Sequence, residues 1–325
     1  MRPPTYLSFL ALLCAFAVLL AGCGGSEETS RPAPSAAEFP SAKGKTIGDL
    51  LHESGAKPSK LVIAPAAQTF DLGANRYPFG VFTLGNEQVS DADVAMYFAK
   101  DGKGPVIGPL PAQVTSLETK PAYRASGAGA PGEATTVYVV PKVDFDRKGP
   151  WLALAMLKGE NGLEATRVTS PPVVGEFPAI PKDGQKAPLI HTPTAADVGG
   201  DMAKIDTRVP PDQMHEVDFA DAVGKEPIVL VFATPALCQS RVCGPVVDVA
   251  QQVADSYEGK ADFIHMEIWN DNEISKGPRP QVQAFHLETE PWTFLIDKNG
   301  IVRDRIEGAF GVSELEEAMR TIVPG

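Results

Sequence analysis

The chain has 325 residues, enough for two domains, and its 43% hydrophobic content is sufficient for buried cores. Its formal net charge of −12 argues against a nucleic-acid partner, because binding to a phosphate backbone requires basic surface. Thirty proline and thirty glycine residues predict linkers and turns rather than long helices.

The first residues predict export from the cytoplasm. Met1-Arg2 is followed by an apolar run from Leu7 to Leu20, which has the length of a secretory signal and is short for a membrane span. The run ends in Leu-Ala-Gly-Cys23, which resembles a bacterial lipobox. The resemblance implies that residues 1–23 are a lipoprotein signal peptide and that Cys23 carries lipid, the alternative being an ordinary signal peptide cleaved elsewhere. We therefore expect a cell-membrane protein, lipid-anchored on the extracytoplasmic side.

Two segments of biased composition divide the rest of the chain. Residues 24–58 begin with GGSEETSRPAPSAAEFPSAKGK, which has too few apolar residues for a core and predicts a disordered tether. Residues 177–205 contain four prolines and no sustained hydrophobic period, and they predict an interdomain linker. The predicted domains are residues 59–176 and residues 206–325.

The first domain contains short predicted strands bounded by Gly, Pro or Asp, with no helical period between them. They lie at 61–63, 79–84, 93–99, 135–140 and 151–157. This spacing predicts an antiparallel sandwich. The segment around Gly149-Pro-Trp151 resembles the last hairpin of bacterial immunoglobulin-like domains, and the resemblance implies an all-β immunoglobulin-like sandwich. No cluster of catalytic residue types is evident in this domain.

The second domain has a mixed pattern. A continuous apolar run at 228–233 predicts a buried strand. The stripe of Val246, Val249, Ala250 and Val253 predicts a helix from 243 to 257. Strands are predicted at 263–268, 292–296 and 301–306, with short helices at 280–285 and near the C-terminus. The predicted order is β-α-β-α-β-β-α.

Cys238 and Cys243 are the two thiols left in the folded part once Cys14 leaves with the signal and Cys23 is lipidated. In an exported protein such a pair is expected to be able to form a disulfide. Cys243 falls at the predicted start of a helix, where free N–H groups and the helix dipole favour a thiolate. The residues alone leave a redox pair, a structural disulfide and a soft-metal site open.

The element order, with a dithiol at the first strand-to-helix junction, resembles thioredoxin. Residues 290–308 resemble the membrane-tethered thioredoxin-like reductases of bacterial envelopes, in which a cis-proline precedes a strand ending in Ile-Asp-x-x-Gly. The resemblance implies that Cys238 attacks, Cys243 resolves and Pro291 shapes a substrate groove. Glu290, the residue before that proline, lies either near the sulfurs, where a carboxylate raises a thiol pKa or relays a proton, or at a solvated edge.

Two features depart from the family pattern. The spacing is Cys-x4-Cys after a leucine, where the family has Trp-Cys-x2-Cys, and the first core strand lacks the family's buried acid. A second alignment therefore places Cys243 on the family's first cysteine and Val246 on the position of its resolving cysteine.

The sequence thus predicts a multidomain protein, an all-β immunoglobulin-like sandwich followed by an α/β thioredoxin-like domain. The predicted function is a thiol-disulfide oxidoreductase that acts on thiols or disulfides of exported proteins without a cofactor. One alternative is a non-enzymatic thioredoxin-fold binding protein with a structural disulfide. Another is copper delivery through Cys238, Cys243 and His265, because two thiols and an imidazole suit Cu(I). A peroxidase-type thiol after Thr234-Pro235 is the last alternative.

Overall fold

The computed structural model describes Met1 and residues 30–128, 132–159, 161–238 and 240–323. The predicted lipobox and Cys23 lie outside the described residues, as do residues 24–29 of the predicted tether. Strands dominate and helices are few, which confirms the prediction of a β-rich multidomain protein. Within the described ranges, no helix combines the length and the apolar character needed to cross a bilayer.

The first domain is built from two sheets that face each other. The five-stranded sheet has the order β1-β11-β10-β5-β6, the four-stranded sheet β2-β4-β8-β7, and a small third sheet β3-β12-β9. The strands are β1 (Lys57–Pro58), β2 (Val62–Pro65), β3 (Thr69–Phe70), β4 (Gly73–Phe82), β5 (Val94–Ala99), β6 (Val106–Pro111), β7 (Gln113–Ser116), β8 (Thr136–Phe145), β9 (Gly149–Pro150), β10 (Leu152–Gly159), β11 (Gly162–Arg167) and β12 (Val173–Val174). We call this pair of facing sheets the sandwich.

Aromatic rings fill the space between the two sheets. Tyr77, Phe98 and Phe145 pack edge to face, and Phe145 also contacts the ring of Trp151. The Trp151 indole N–H donates a hydrogen bond to the carbonyl of Arg147, which satisfies its polar atom within the core. The predicted Gly-Pro-Trp segment therefore supplies a central side chain of the sandwich core.

The predicted disordered tether is wrong for the described residues 36–58, which pack against the sandwich. All six residues of β5 are buried, and Tyr97 on its outer face shares a hydrophobic cluster with Phe39 and Leu50. The Tyr97 hydroxyl donates to the carbonyl of Pro40. Helix α1 (Ile47–Ser54) begins with a capping box from Thr46. A few apolar side chains are enough to fix this polar segment on the sandwich, because the outer face of β5 is apolar.

The second domain contains a four-stranded mixed sheet of order β14-β13-β15-β16, with β13 parallel to β14 and antiparallel to β15. Its strands are β13 (Ile228–Phe232), β14 (Asp262–Met266), β15 (Trp292–Ile296) and β16 (Val302–Glu307). Its helices are α2 (Phe219–Ala222), α3 (Cys243–Ser256), α4 (Pro280–Ala284) and α5 (Val312–Met319). The predicted order of elements from β13 to α5 is confirmed.

The sheet is covered on both faces, which explains why β13 is a continuous apolar run. Val229 and Val231 contact the cluster that contains α3 and α5, whereas Leu230 faces the cluster that contains α2 and α4. Part of the predicted linker also belongs to this second cluster, because Ile180 and Ala187 are buried in it. The segment 177–205 is therefore packed rather than extended between domains, although it has little regular structure.

The two domains share a hydrophobic core. Val137 and Val139 on the outer face of β8 belong to the same cluster as Val246 of α3 and Phe310. Two partly buried ion pairs flank this contact, Arg76 with Glu314 at 2.5 Å and Arg305 with Asp71 at 2.6 Å. The sandwich is consequently docked on the second domain over an apolar surface.

Truncation of Leu50 tests whether the N-terminal segment is part of the folded structure. Leu50 is 0% exposed, so Leu50→Ala should lower the free energy of unfolding by about 2–5 kcal/mol in chemical denaturation. Leu84 is 77% exposed, so Leu84→Ala should change it by about 0.5 kcal/mol or less. Equal, small effects of the two substitutions would show that residues 36–58 do not pack in solution.

Candidate functional site

The two cysteines of the folded part form a disulfide at the junction of β13 and α3. Cys238 lies in the connecting loop and Cys243 is the first residue of α3, with a Cα–Cα distance of 6.0 Å. Cys243 is fully buried, whereas Cys238 is partly exposed. The Ser240 hydroxyl lies 3.1 Å from the Cys238 sulfur. The sequence-predicted pair is therefore assembled, with one of its two cysteines partly exposed.

The start of α3 favours a thiolate at this position. The helix is preceded by Val242, which has no polar side-chain atom with which to cap the first N–H groups. Those groups carry the positive end of the helix dipole, which stabilises negative charge on a nearby sulfur. Once the disulfide is reduced, the helix start therefore lowers the cost of ionising Cys243 and its neighbour.

Glu290 lies beside the two cysteines, which is one of the two positions that the sequence leaves open for it. Its carboxylate and the two sulfurs lie within 4.8 Å of one another. Burial and, less strongly, the charge of Glu267 raise the pKa of Glu290 to about 7, against the effect of a hydrogen bond from the Thr234 N–H. Its Oε2 is buried without a hydrogen-bond partner in the described part of the chain. A carboxyl group that titrates near neutral pH beside a disulfide can accept or donate a proton during thiol chemistry.

Pro291 follows Glu290 in a cis peptide bond and lies directly before β15. Pro291 is buried, and its carbonyl accepts a hydrogen bond from the N–H of Gly308. The proline fixes the path of the chain between the carboxylate of Glu290 and the central strand β15. The predicted residues Cys238, Cys243, Glu290 and Pro291 therefore occupy one region of the molecule.

His265, proposed from the sequence as a third metal ligand for the cysteines, belongs to a different cluster. Its Nδ1 lies 2.7 Å from Oδ2 of Asp212, and its Nε2 lies 3.1 Å from the carbonyl oxygen of Ala233. Both ring nitrogens are thus engaged away from the sulfurs. The set of Cys238, Cys243 and His265 is not assembled, because His265 projects from β14 toward the segment that precedes α2.

A cleft of 440 Å³ adjoins the accessible sulfur. One side is formed by Pro235, Ala236 and Cys238, and the other by Ala125, Gly127, Gly132 and Glu133, which lie between β7 and β8 of the sandwich. Two hydrogen bonds join the sides, from Arg241 to the carbonyl of Gly132 and from the Ala134 N–H to the carbonyl of Arg241. Sequence reasoning missed this wall, because its residues lie more than a hundred positions before the cysteines.

A buried ion pair holds α3 in place beside the cleft. Arg208 donates to Asp248 at 2.7 Å, with only 2% and 4% of the two side chains exposed. Arg208 also donates to the carbonyl of Tyr123, and Asp248 accepts from the N–H of Ala125. The pair therefore connects the segment before α2, helix α3 and the sandwich. From the sequence, Asp248 is simply one polar residue in an amphipathic helix.

Comparisons with known proteins do not identify a family for this chain. No family model matches the chain, and no curated protein matches it. Among solved structures, the chain is similar to the ZirS C-terminal domain, with 12% identity over 50% of this chain and 94% of that domain and a TM-score of 0.17.

Glu290→Gln should alter the pH dependence of stability. Because the folded-state pKa of about 7 lies above the ordinary value of 4.5, the unfolded chain loses its proton first, and stability falls as the pH rises from 4.5 to 7. Glutamine removes this loss, so the free energy of unfolding at pH 8 should rise by about 1–3 kcal/mol with little change at pH 4.

The matched control is Glu288→Gln, an exposed glutamate two residues away. Denaturation should give the same pH profile for this variant as for the unmodified chain. A profile of Glu290→Gln that runs parallel to the unmodified one would mean that the carboxyl group is not buried as described.

Arg208→Met should be strongly destabilising, because it leaves the buried carboxylate of Asp248 unpaired. We expect a loss of about 3–5 kcal/mol in the free energy of unfolding. The double variant Arg208→Met/Asp248→Asn keeps an acceptor for the Ala125 N–H and should recover about half of that loss. Arg303→Met breaks an exposed pair with Asp297 and should cost about 1 kcal/mol or less. Similar losses for Arg208→Met and Arg303→Met would contradict the burial of the first pair.

Proposed function

We propose that this protein is a thiol-disulfide oxidoreductase with a thioredoxin-like second domain and an immunoglobulin-like first domain. The observation that carries the proposal is the accessible sulfur of Cys238 bonded to the buried sulfur of Cys243 at the start of a helix. The strand order β14-β13-β15-β16 and the cis-proline before β15 agree with a thioredoxin-like fold. The facing sheets of the sandwich agree with an immunoglobulin-like fold.

The exchange reaction needs only the residues at this site. In the reduced protein, the Cys238 thiolate attacks a substrate disulfide, one substrate sulfur leaves as a thiolate, and a mixed disulfide forms. Cys243 then attacks the Cys238 sulfur, which releases the second substrate sulfur and restores the Cys238–Cys243 disulfide. The substrate gains two electrons and the protein loses two. Run in reverse, the same steps oxidise a substrate dithiol.

Glu290 supplies the proton transfer that this reaction requires. Cys243 is fully buried, so water has little access to its thiol, and the nearby carboxylate can accept the proton as Cys243 becomes a nucleophile. With a pKa near 7, Glu290 is ionised in part of the population and protonated in the rest at neutral pH. It can therefore take up a proton in one half of the cycle and return it in the other.

The substrates would be thiols or disulfides of exported proteins. The signal sequence with Cys23 supports a lipid-anchored protein on the extracytoplasmic side of the cell membrane, where disulfides persist. The wall that Ala125, Gly127, Gly132 and Glu133 add to the cleft gives the sandwich a role in choosing the substrate. We expect this wall to favour a substrate sulfur on a protruding loop or an extended segment.

A binding protein with a structural disulfide is the second candidate function, favoured by the Cys-x4-Cys spacing and the missing tryptophan. The two candidates differ in the reduction potential of the disulfide. Exchange enzymes lie between about −120 and −270 mV, whereas structural disulfides lie below about −300 mV. A redox titration with alkylation of free thiols measures this quantity.

Cysteine variants test the proposed roles directly. Cys238→Ser should abolish disulfide reductase turnover, and Cys243→Ser should accumulate a mixed disulfide with substrate, because nothing resolves it. Ser240→Ala changes a neighbour of the same sulfur and should keep turnover within about tenfold. Turnover that survives in Cys238→Ser, or a potential below about −300 mV without turnover, would refute the proposal. Stoichiometric Cu(I) binding by the reduced thiols would favour copper delivery instead.

A further inference from the structure

Four buried side chains with metal-ligating atoms meet behind the Cys238 loop. They are Asp206, Asp212 and His215, from the segment before α2, and His265 on β14. Each is at most 4% exposed, and one ligand atom from each lies within 4.8 Å of the others. This group contains none of the residues proposed for thiol exchange, so it is a separate feature of the second domain.

Three of the four separations between the rings and carboxylates of the group are long for hydrogen bonds. The fourth, 2.7 Å between Nδ1 of His265 and Oδ2 of Asp212, is a hydrogen bond that a shared cation would replace. Nε2 of His215 lies 3.5 Å from Oδ2 of Asp206 and 3.4 Å from Oδ1 of Asp212, and Nδ1 of His265 lies 3.9 Å from Oδ1 of Asp206. Neighbouring ligands around a tetrahedral ion with bonds of 2.0–2.1 Å are about 3.3–3.4 Å apart. The His215 separations are long for hydrogen bonds and match this spacing.

His215 provides an independent observation. It is 2% exposed, yet neither of its ring nitrogens has a hydrogen-bond partner among the described residues. Its Nε2 is nevertheless directed at two carboxylates, as the distances above require. A buried polar atom without a partner is costly, and most such atoms in native proteins have one. A cation between the carboxylates would give Nε2 the partner that it lacks.

Hydrogen bonds with backbone groups orient the side chains of the other three ligands, as is common at metal sites. The Nε2–H of His265 donates to the carbonyl of Ala233, which leaves Nδ1 directed at Oδ2 of Asp212, and in the metal-bound form Nδ1 would exchange this hydrogen bond for the ion. Asp206 accepts from the N–H of Arg208, and Asp212 accepts from the N–H of Met214. Backbone partners of this kind fix the orientation of ligating imidazoles and carboxylates.

We propose that Asp206, Asp212, His215 and His265 bind one divalent transition-metal ion, with Zn²⁺ as the best match. Two carboxylates and two imidazoles without a thiolate favour a borderline divalent ion over Cu(I). The ion ties the segment before α2 to β14. Thr207, the residue after Asp206, accepts a hydrogen bond from the N–H of Ala236, so the same ion stiffens the loop that carries Cys238. The alternative is a metal-free network of imidazolium and carboxylate groups.

The test uses the full chain with Cys14 and Cys23 replaced by serine and the Cys238–Cys243 disulfide oxidised, so that no thiolate is present to bind metal. After chelator treatment, the protein is titrated with Zn²⁺ and, separately, with Co²⁺. We expect one equivalent of each to bind, and saturating Zn²⁺ to raise the melting temperature by about 5 °C. The Co²⁺ form should show the intense visible bands of a tetrahedral site without thiolate-to-cobalt charge transfer.

Substitutions locate the ion. His215→Gln and Asp206→Asn should each lower the affinity at least about tenfold to a hundredfold or abolish binding. The double variant Cys238→Ser/Cys243→Ser should bind as the unmodified chain does, and so should His191→Gln, whose histidine side chain is 83% exposed. If the ligand variants do not fold, the Co²⁺ spectrum of the unmodified chain decides the question by itself. Absence of stoichiometric binding, an octahedral or thiolate spectrum, or full binding in His215→Gln would overturn the proposal.

Discussion

The burial of α3 between the four-stranded sheet and the sandwich is the constraint on which the rest of the structure depends. An ordinary surface helix buries one stripe, whereas α3 buries residues around most of its circumference. Val249 and Val253 repeat at the spacing of a single face, but Val247 and even Asp248 are also buried. Because the helix has so little freedom, Cys243 at its first position is fixed below the surface. Cys238 lies on the loop that precedes the helix, so its side chain remains partly exposed to solvent.

That constraint explains which parts of the fold could be predicted from the sequence. The elements from β13 to α5 carry strong local patterns, so their order and type were predictable without knowledge of the sandwich. The five strands predicted for the first domain are also present, but β6, β7 and β11 were missed, as were the two-residue strands β1, β3, β9 and β12. β6 contains Gly108-Pro109 and β11 contains Glu164 and Arg167, which are unusual residues for strands judged on composition alone.

The features that sequence reasoning missed depend on residues far apart in the chain. Val137 and Val139 look like any alternating strand residues, and only the position of α3 shows that their face is an interface. The same is true of Leu50, whose partner face on β5 lies about 45 residues later. The sequence indicated a position beside the sulfurs for Glu290 but left a solvated edge equally open. The cluster around His215 had no comparable family pattern to indicate it.

Buried charge links the separate parts of the second domain. The carboxylate of Glu267 accepts a hydrogen bond from the N–H of Thr207, and its negative charge contributes to the raised pKa of Glu290. The Thr207 hydroxyl in turn accepts a hydrogen bond from the N–H of Ala236, which lies on the loop that carries Cys238. A change in the charge or position of Glu267 would therefore reach both the carboxyl group beside the disulfide and the loop that carries the accessible sulfur. The buried polar residues behind the loop thus do more than complete a core, because they set the electrostatic environment in which the two sulfurs react.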